Sequence, residues 1–531
     1  MDTSFEPVSK GAFTTTAGMN LGLYHHSLAG GEGCESLINL IRRLSNRATG
    51  HSYPGISEKL LCLVFVYIHL NKKDLRLSLF RYRSSLFTTF IESSMHFSYL
   101  ELARCGESKE KIGMIKFLSF ILIPFSMLLG NWPQYHGPMF NKSATLLISP
   151  NSSSLLEASP SWTAPTPLGF SSFSTEGKSA FTLIAEEDED GLLRELCVSL
   201  DLFTGKRLWQ TWLGMANYGH SGGNAGTPNN SGGDGPRSTP SVSEGLVFVY
   251  DSSMSLHCLS AQSGETVWKI DIIQEYNGKN ITWKNAASPL LVHDLVIVIG
   301  GGPGESMIGI ERNTGKLRWK NGSETATHAT PAYAKIHGQE QAIFLCRSGL
   351  VSINPLNGRE LWKQDFPYKV SSASSPVVAG EYVFCSAGYG VGAGLFKISK
   401  KSQTFSSKQI WRKRNEMMVH WSTPLYYKGH LYGIFGFKEY GKAPLQCIDL
   451  LTGKIRWSQK GFGPGNLIRS GNSLLVLSDE GELIITEANT EKYIEHKRRK
   501  ILSGKCWSTP ILIDKLILAR STKEAIALPI R

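Results

Sequence analysis

Five times between Leu200 and Trp457 the chain returns to one phrase: a small polar residue, Gly, a charged residue, two spacers and Trp. It runs from Thr204-Gly205-Lys206 to Trp209, from Ser263-Gly264-Glu265 to Trp268 and from Thr314-Gly315-Lys316 to Trp319. It returns from Asn357-Gly358-Arg359 to Trp362 and from Thr452-Gly453-Lys454 to Trp457. The residues before the phrase alternate in polarity, as in Leu256-His-Cys-Leu-Ser260 and Leu445-Gln-Cys-Ile-Asp449, which marks a strand with one buried face. The Gly supplies the positive φ of a tight hairpin, and the Trp falls on the strand that follows. A strand-and-turn unit repeating at a period of forty to fifty residues builds a radial array of blades.

A second marker keeps step with the first. A Ser/Thr-Pro step or its equivalent precedes an apolar strand at Pro240, Pro289, Pro331, Pro376, Pro424 and Pro510. Pro suits the first residue of a strand. The interval from 424 to 510 holds two units, divided near Asn466 to Ser470, and an earlier unit begins near Gly169 to Ser174. Blade starts therefore fall near 169, 240, 289, 331, 376, 424, 467 and 510. Trp positions give the same count if Trp162 and Trp411 are included and Glu491 to His496 stands as a degenerate copy. The last unit is short of a strand and Trp162 lies ahead of the first complete blade, so the Trp162 strand is expected to close the blade begun at Pro510. The fold class is thus all-β: an eight-bladed β-propeller of four-stranded antiparallel blades. Seven blades, or a split into two domains, are the alternatives.

The segment before the repeats reads differently. Residues 1–113 carry no copy of the phrase and are expected to be irregular or weakly helical, with a weakly amphipathic stretch at Leu37 to Leu44 and an apolar run at Leu60 to Leu70. Residues 114–130 open on Met114, hold the single charge of Lys116, continue in a mainly apolar run to Leu129 and end on Gly130. That is the layout of a secretory signal, with a core too short to span a bilayer. We therefore expect translation to begin at Met114, residues 131–531 to form the exported propeller, and 1–113 to be no part of the native protein. No Cys follows the run, so a lipoprotein anchor is not expected.

Bulk properties exclude some classes. The 531 residues carry a formal net charge of +12, but the excess is spread thinly. The run His496-Lys-Arg-Arg-Lys500 is short and reads as a solvated loop, so nucleic acid is not an expected partner. Nine cysteines include no CxxC and no adjacent pair, which leaves no support for a zinc or redox site. Most of those after residue 130 fall on strands of different blades, beyond easy disulfide reach, and they are expected to be buried thiols. Gly388-Tyr-Gly-Val-Gly-Ala393 fits a dinucleotide fingerprint, but a strand rather than a helix follows it, so it reads as a wide glycine turn.

The repeat phrase resembles the PQQ-like β-propeller repeat of quinoprotein dehydrogenases and of the lipoprotein of the outer-membrane barrel assembly machinery. Trp132-Pro-Gln-Tyr-His-Gly-Pro138, Asp234-Gly-Pro-Arg-Ser-Thr-Pro240 and Ser386-Ala-Gly-Tyr-Gly-Val-Gly392 are similar to phrases of secreted PQQ-binding-like β-propeller repeat proteins of the Planctomycetes and Verrucomicrobia type. The resemblance spans about 131–531 and implies the fold more strongly than any activity. His136 stands where that family usually has Arg. Quinoprotein alcohol dehydrogenases of this kind hold PQQ against an adjacent Cys pair and bind calcium beside a catalytic Asp; this chain has no such pair and no evident calcium constellation.

Site candidates come from phase. In a propeller the innermost strands line the channel, and the residues just before each blade start share one rim. Arg237, Lys284 with Asn285, His328, His420 with Trp421, and Trp507 occupy that phase. Arg with two His suits an anionic or sugar-like ligand; the alternative is that these residues hydrogen-bond neighbouring blades. The loop from Asn217 to Pro236, rich in Gly, Asn and Ser, leads into Arg237 and is placed to cover the same mouth. No catalytic residue and no metal ligand is assigned. The expectation is a monomeric, exported ligand- or protein-binding scaffold of the bacterial envelope, in the periplasm, whose partner is a protein or a small polar ligand. The alternatives are a quinoprotein oxidoreductase, with PQQ and calcium as its cofactors and an alcohol or sugar as its substrate, and an outer-membrane assembly scaffold.

Overall fold

A computed structural model describes residues 131–149, 156–218 and 235–530, with three strands of the preceding segment. The chain divides into two units, Met1–Pro124 and Phe125–Arg531. In the first, Gly22–Leu28, Cys62–Asn71 and Asp74–Arg83 form a three-stranded antiparallel sheet. Over these residues the irregular or weakly helical expectation gives way to strand: Cys62-Leu-Val-Phe-Val-Tyr-Ile68 is rich in β-branched and aromatic residues, which favour the pleated backbone. The signal-like residues 114–130 lie outside the described residues.

The second unit is an eight-bladed propeller of four-stranded antiparallel sheets. Blade 1 runs from Ser174–Glu176 to Arg207–Met215 and blade 2 from Ser241–Ser243 to Thr266–Asp271. Blades 3 to 7 begin at Leu290–Val292, Ala332–Ile336, Val377–Ala379, Leu425–Tyr427 and Asn466–Ser470. Blade 8 holds Ile511–Ile513, Leu516–Arg520 and Glu524–Pro529, and its outermost strand is Trp162–Pro165. Ala527 pairs with Trp162 and Glu524 with Pro165, so chain from the two ends of the unit completes one sheet. The ring is closed as the phase count required.

The repeat phrase is the joint between blades. The indoles of this set, Trp362 apart, donate Nε1–H to a backbone carbonyl beside the turn of the next blade, and the ring lies on the turn Gly wherever there is one; Trp457 bonds Asn489 O at 2.8 Å at a turn without Gly. Trp209 bonds Ala261 O at 3.0 Å, Trp268 bonds Arg312 O at 2.8 Å and Trp319 bonds Pro355 O at 2.9 Å. The closing Trp162 does the same to Leu202 O at 2.9 Å. Glycine is required twice over: Gly358 has φ +70°, and a Cβ there would lie 2.4 Å from the Trp319 ring. Trp362 departs from the rule. Blade 5 turns through Ser402 without a Gly, and Trp362 bonds the Gln341 side chain of its own blade at 2.7 Å.

The Ser/Thr of the Ser/Thr-Pro step has a structural task that Pro alone does not explain. Its hydroxyl accepts the amide of the equivalent residue in the preceding blade. Thr509 N–H bonds Ser172 Oγ at 2.7 Å, Ser172 N–H bonds Thr239 Oγ1 at 3.0 Å, and Thr239 N–H bonds Ser288 Oγ at 2.8 Å. Ser288 N–H bonds Thr330 Oγ1 at 2.9 Å, and Ser375 N–H bonds Thr423 Oγ1 at 3.0 Å. This belt of hydroxyls rings the axis. It is interrupted between blades 4 and 5, where Ser375 Oγ accepts no amide among the described residues, and at blade 7, where the equivalent residue is Gly465. There the buried ammonium of Lys142 reaches Thr423 O at 2.9 Å and Asn466 Oδ1 at 3.3 Å, and Asn466 donates onward to Trp507 O at 2.6 Å.

Lys142 arrives on a segment that plugs one end of the channel. Trp132 pairs with Thr175 of blade 1, Pro133 O accepts Val242 N–H of blade 2, and Gln134 Oε1 accepts Leu291 N–H of blade 3. Phe140 packs on Tyr333 of blade 4 at 4.6 Å, and Lys142 O accepts Arg469 N–H of blade 7. The opening Trp-Pro-Gln-Tyr-His-Gly-Pro phrase is thus the channel's floor. His496-Lys-Arg-Arg-Lys500 is not a solvated loop but the body of the outer strand Glu495–Lys500 of blade 7. Its charges are matched locally, Arg498 to Glu482 and Glu495, and Lys497 to Glu157. The six cysteines of the propeller are buried and unpaired by disulfide.

If the Trp-to-turn joint carries closure, Trp162→Ala opens the ring at its seam as well as emptying a core site. We expect a loss of about 3–5 kcal/mol in urea unfolding, against a smaller loss for Leu208→Ala, whose side chain is half exposed on the outer strand of blade 1.

Candidate functional site

The connections entering the blades, with two interstrand loops, enclose a cavity of about 220 Å³ at the mouth opposite the plug. The third residue before the Pro of each marker points into it. Arg237, Ala286, His328, Ala373, Trp421 and Trp507 all hold that position, and Phe170 holds its equivalent in blade 1. Blade 7 has Gly463 there, and no side chain. The belt hydroxyls Ser172, Ser288 and Thr330 line the level beneath, and Tyr135 of the plug forms the floor.

Of the six residues singled out by phase, Arg237, His328, His420, Trp421 and Trp507 meet at this cavity; Lys284 does not line it. Its neighbour Trp283 does, because the 281–285 turn, with Trp283 and Lys284 both at φ +65°, rotates the indole inward. Asn285 is buried and spends its amide on Tyr250, Asp251 and Ala287 carbonyls, a structural assignment. Tyr389, Lys438, Ser371 and Tyr135 complete the wall and were not singled out by phase. Tyr389 lies in the Gly388–Ala393 turn and Lys438 in the hairpin between His430–Ile434 and Leu445–Asp449, outside the pre-blade position that the repeat makes visible. Residues 219–234, most of the loop expected to cover this mouth, lie outside the described residues.

One side of the wall is aromatic. Phe170, Trp507 and Trp421 stack in series, with centroids 4.7 and 4.4 Å apart and planes within 27° and 18°. Tyr440 runs parallel to Trp507 at 5.9 Å. The other side is polar. Arg237 donates to Trp283 O at 2.7 Å and lies 5.0 Å over the Tyr218 ring. Lys438 lies 5.1 Å over the Tyr389 ring. His328 donates from Nε2 to Thr282 O at 2.9 Å, and His420 Nε2 contacts Ser371 Oγ at 3.3 Å. Inter-blade bonding therefore occupies one face of Arg237, His328 and His420.

Electrostatics separates the cations from the histidines. Burial pushes His420 down to about 3, helped by His328 and Lys438; burial and then Arg237 push His328 down to about 4. Both rings are neutral at pH 7 and serve as hydrogen-bonding groups, each with a buried Nδ1 that meets no partner among the described residues. The positive charge of the wall is carried by Arg237 and Lys438. Among the described residues no Asp or Glu lines the cavity, and no cluster of three or more His, Cys, Asp or Glu has the geometry to hold a metal.

The fold and this cavity define a channel-mouth propeller. A family model described as outer membrane protein assembly factor BamB matches residues 194–459, and the chain belongs to this PQQ-like β-propeller family. It is 22% identical over 226 residues to a tetrathionate hydrolase of Acidithiobacillus ferrooxidans, covering 43% of this chain and 37% of that protein. It is 22% identical over 268 residues to BamB of Bordetella pertussis, covering 47% of this chain and 62% of that one. The chain thus spans less than two thirds of the length of these relatives. Among solved structures, quinohemoprotein alcohol dehydrogenases of Comamonas testosteroni and Pseudomonas putida HK5 share the fold, with TM-scores of 0.52 and 0.51 at 11% and 12% identity. Each covers 75% of this chain and 80% of its own.

The depressed histidines make a pH prediction. Between about pH 6.5 and 4 the unfolded chain takes up protons on these rings that the native wall refuses, so stability falls as pH falls. The double variant His328→Gln/His420→Gln lacks both titrations. Its melting temperature, followed from pH 7.5 to 4.5, should decline less steeply than that of the wild type.

Proposed function

We propose that this chain is an exported binding propeller of the cell envelope that takes a small anionic ligand at its open channel mouth. The observation that carries the reading is the composition of the wall: Arg237 and Lys438 face a cavity with aromatic sides, and none of its described lining residues is a carboxylate. In a partly desolvated site two cations favour an anion, the stacked rings supply apolar contact, and the belt hydroxyls and neutral histidines supply directed bonds. The plug supports binding from one side only. Export rests on the signal-like layout of 114–130 and on the envelope role in the name of the Bordetella relative. No helix among the described residues is long and apolar enough to cross a membrane.

The quinoprotein alternative fits less well. PQQ is itself an aromatic anion and suits the rings and cations, but its calcium needs oxygen ligands from carboxylates and amides. The described wall offers no carboxylate for the metal and none to act as a base. An assembly-scaffold role, as in the name of the Bordetella relative, gives the cavity no task.

Three indoles in the wall give the test its signal. Residues 131–531 titrated with sodium tetrathionate, with PQQ with and without calcium, and with glucose should show saturable tryptophan quenching by an anion. The response should not depend on calcium, and glucose should give none. Arg237→Ala should weaken binding at least tenfold while melting within a few degrees of the wild type. Quenching by PQQ only when calcium is present would favour the quinoprotein, and silence with every anion would remove the binding reading. Sequencing the mature N-terminus from a native host checks export: the expected first residues lie just after Gly130.

A further inference from the structure

Blade packing leaves one buried polar cluster without an evident purpose. Glu195, in the strand Leu193–Asp201 of blade 1, has no exposure to solvent. Its Oε2 accepts the Ser252 amide at 3.1 Å and its Oε1 accepts the Tyr218 hydroxyl at 2.8 Å. The Tyr218 ring, also buried, lies 5.0 Å beneath the Arg237 guanidinium, and Arg237 donates to Trp283 O in the cavity wall. A line of contacts therefore runs from a carboxyl inside the blades to the cation at the mouth.

On its inner side Glu195 faces Asp251 of blade 2. Asp251 is fully engaged: Oδ1 accepts Ser253 and Ser255 amides at 2.9 and 2.8 Å, and Oδ2 meets His257 Nε2 at 3.0 Å. The titratable groups about Glu195 are thus Asp251, with His257 behind it, and Tyr218, with Arg237 beyond. Tyr250 stands next to Asp251 in the chain. Burial first and the Asp251 charge second hold the Glu195 carboxyl well above the usual carboxylate range. Two acids buried together are costly, and apolar residues of similar shape would seal the blades more cheaply. A group kept at such cost in contact with a site wall is a candidate for function.

We propose that Glu195 is a positioning residue for the channel-mouth site: through the Tyr218 hydroxyl it fixes the ring on which Arg237 rests, and so sets where the cavity presents its cation. This rests on the reading of the cavity as an anion site. The physical gain is preorganisation. A free Arg loses much rotamer freedom when a ligand fixes it, and a guanidinium already laid on a fixed ring and bonded to Trp283 O has lost it before the ligand arrives. An ionised Glu195 draws on the phenol proton, enriches the ring and strengthens the cation–π contact. A protonated Glu195 accepts that proton less strongly, and the contact weakens.

The test uses sodium tetrathionate and calcium-free PQQ as probes, read by tryptophan quenching from pH 5.5 to 8.5 on the whole propeller. Tyr218→Phe keeps the ring and loses the bond to Glu195. Glu195→Gln loses the ionisation and keeps one acceptor oxygen, for the Ser252 amide, while its NH2 faces the Tyr218 hydroxyl, which can accept from it. Tyr218→Phe should bind the quenching anion roughly three- to tenfold more weakly at neutral pH. In the wild type affinity should rise with pH across the Glu195 titration, and in Glu195→Gln that rise should flatten, a result that a merely structural role would not produce. Wild-type affinity and pH profile in both variants, alongside weakened binding by Arg237→Ala, would overturn the positioning role and leave the anion site standing. No quenching of the wild type by either anion would overturn the site reading and the proposal together.

Discussion

An indole laid flat on a glycine of the neighbouring blade is the contact on which the molecule depends. A blade of four short strands cannot bury both faces alone, so each must be covered by the next, and the covering must be specified at a definite spacing and angle. The Trp does this with three constraints at once. Its ring supplies apolar area, its N–H finds the one carbonyl beside the turn, and the Gly leaves no Cβ to hold the ring away. Trp162 applies the same contact to Leu202 and Gly205 across the seam. The circle is therefore closed by one more copy of its ordinary joint, and no sheet edge is left at the seam.

Around the axis a second constraint takes over. The hydroxyl belt links successive blades at a narrower radius, where strands converge and only small side chains fit. Where the belt lacks a hydroxyl at Gly465, the Lys142 ammonium and the Asn466 amide bridge the gap. The plug that delivers Lys142 also delivers Tyr135, so the repair of the belt and the floor of the cavity come from one stretch of chain. This arrangement makes the two mouths unequal: one is stoppered by 131–148, the other is open and carries the cations.

Much of this was legible in order along the chain. Thr-Gly and Ser/Thr-Pro spacings located all eight blades and recruited Trp162, because turn chemistry and strand polarity are local properties that a repeat displays many times. Phase also led to Arg237, His328, His420, Trp421 and Trp507, since equivalent positions in a closed ring face one axis. It failed at Lys284, where two consecutive positive-φ residues shift the register by one and bring Trp283 inward. It passed over Tyr389 and Lys438, which reach the mouth from loops that do not repeat in length. Phase offered Arg with two His for an anionic or sugar-like ligand; burial leaves the histidines neutral, and Lys438 supplies the second cation.

By itself the sequence determined the fold class, the blade count, the closing strand and the rim on which side chains converge. These follow from periodicity, and periodicity needs no partner to be read. Only the tertiary structure decided that the opening phrase is a stopper, that Ser and Thr of the second marker bond blade to blade, and that Glu195, Tyr218 and Arg237 form one line. Those facts join residues from about twenty to 337 positions apart, or depend on desolvation at a closed axis, and neither distance nor burial is written in the local pattern of a chain.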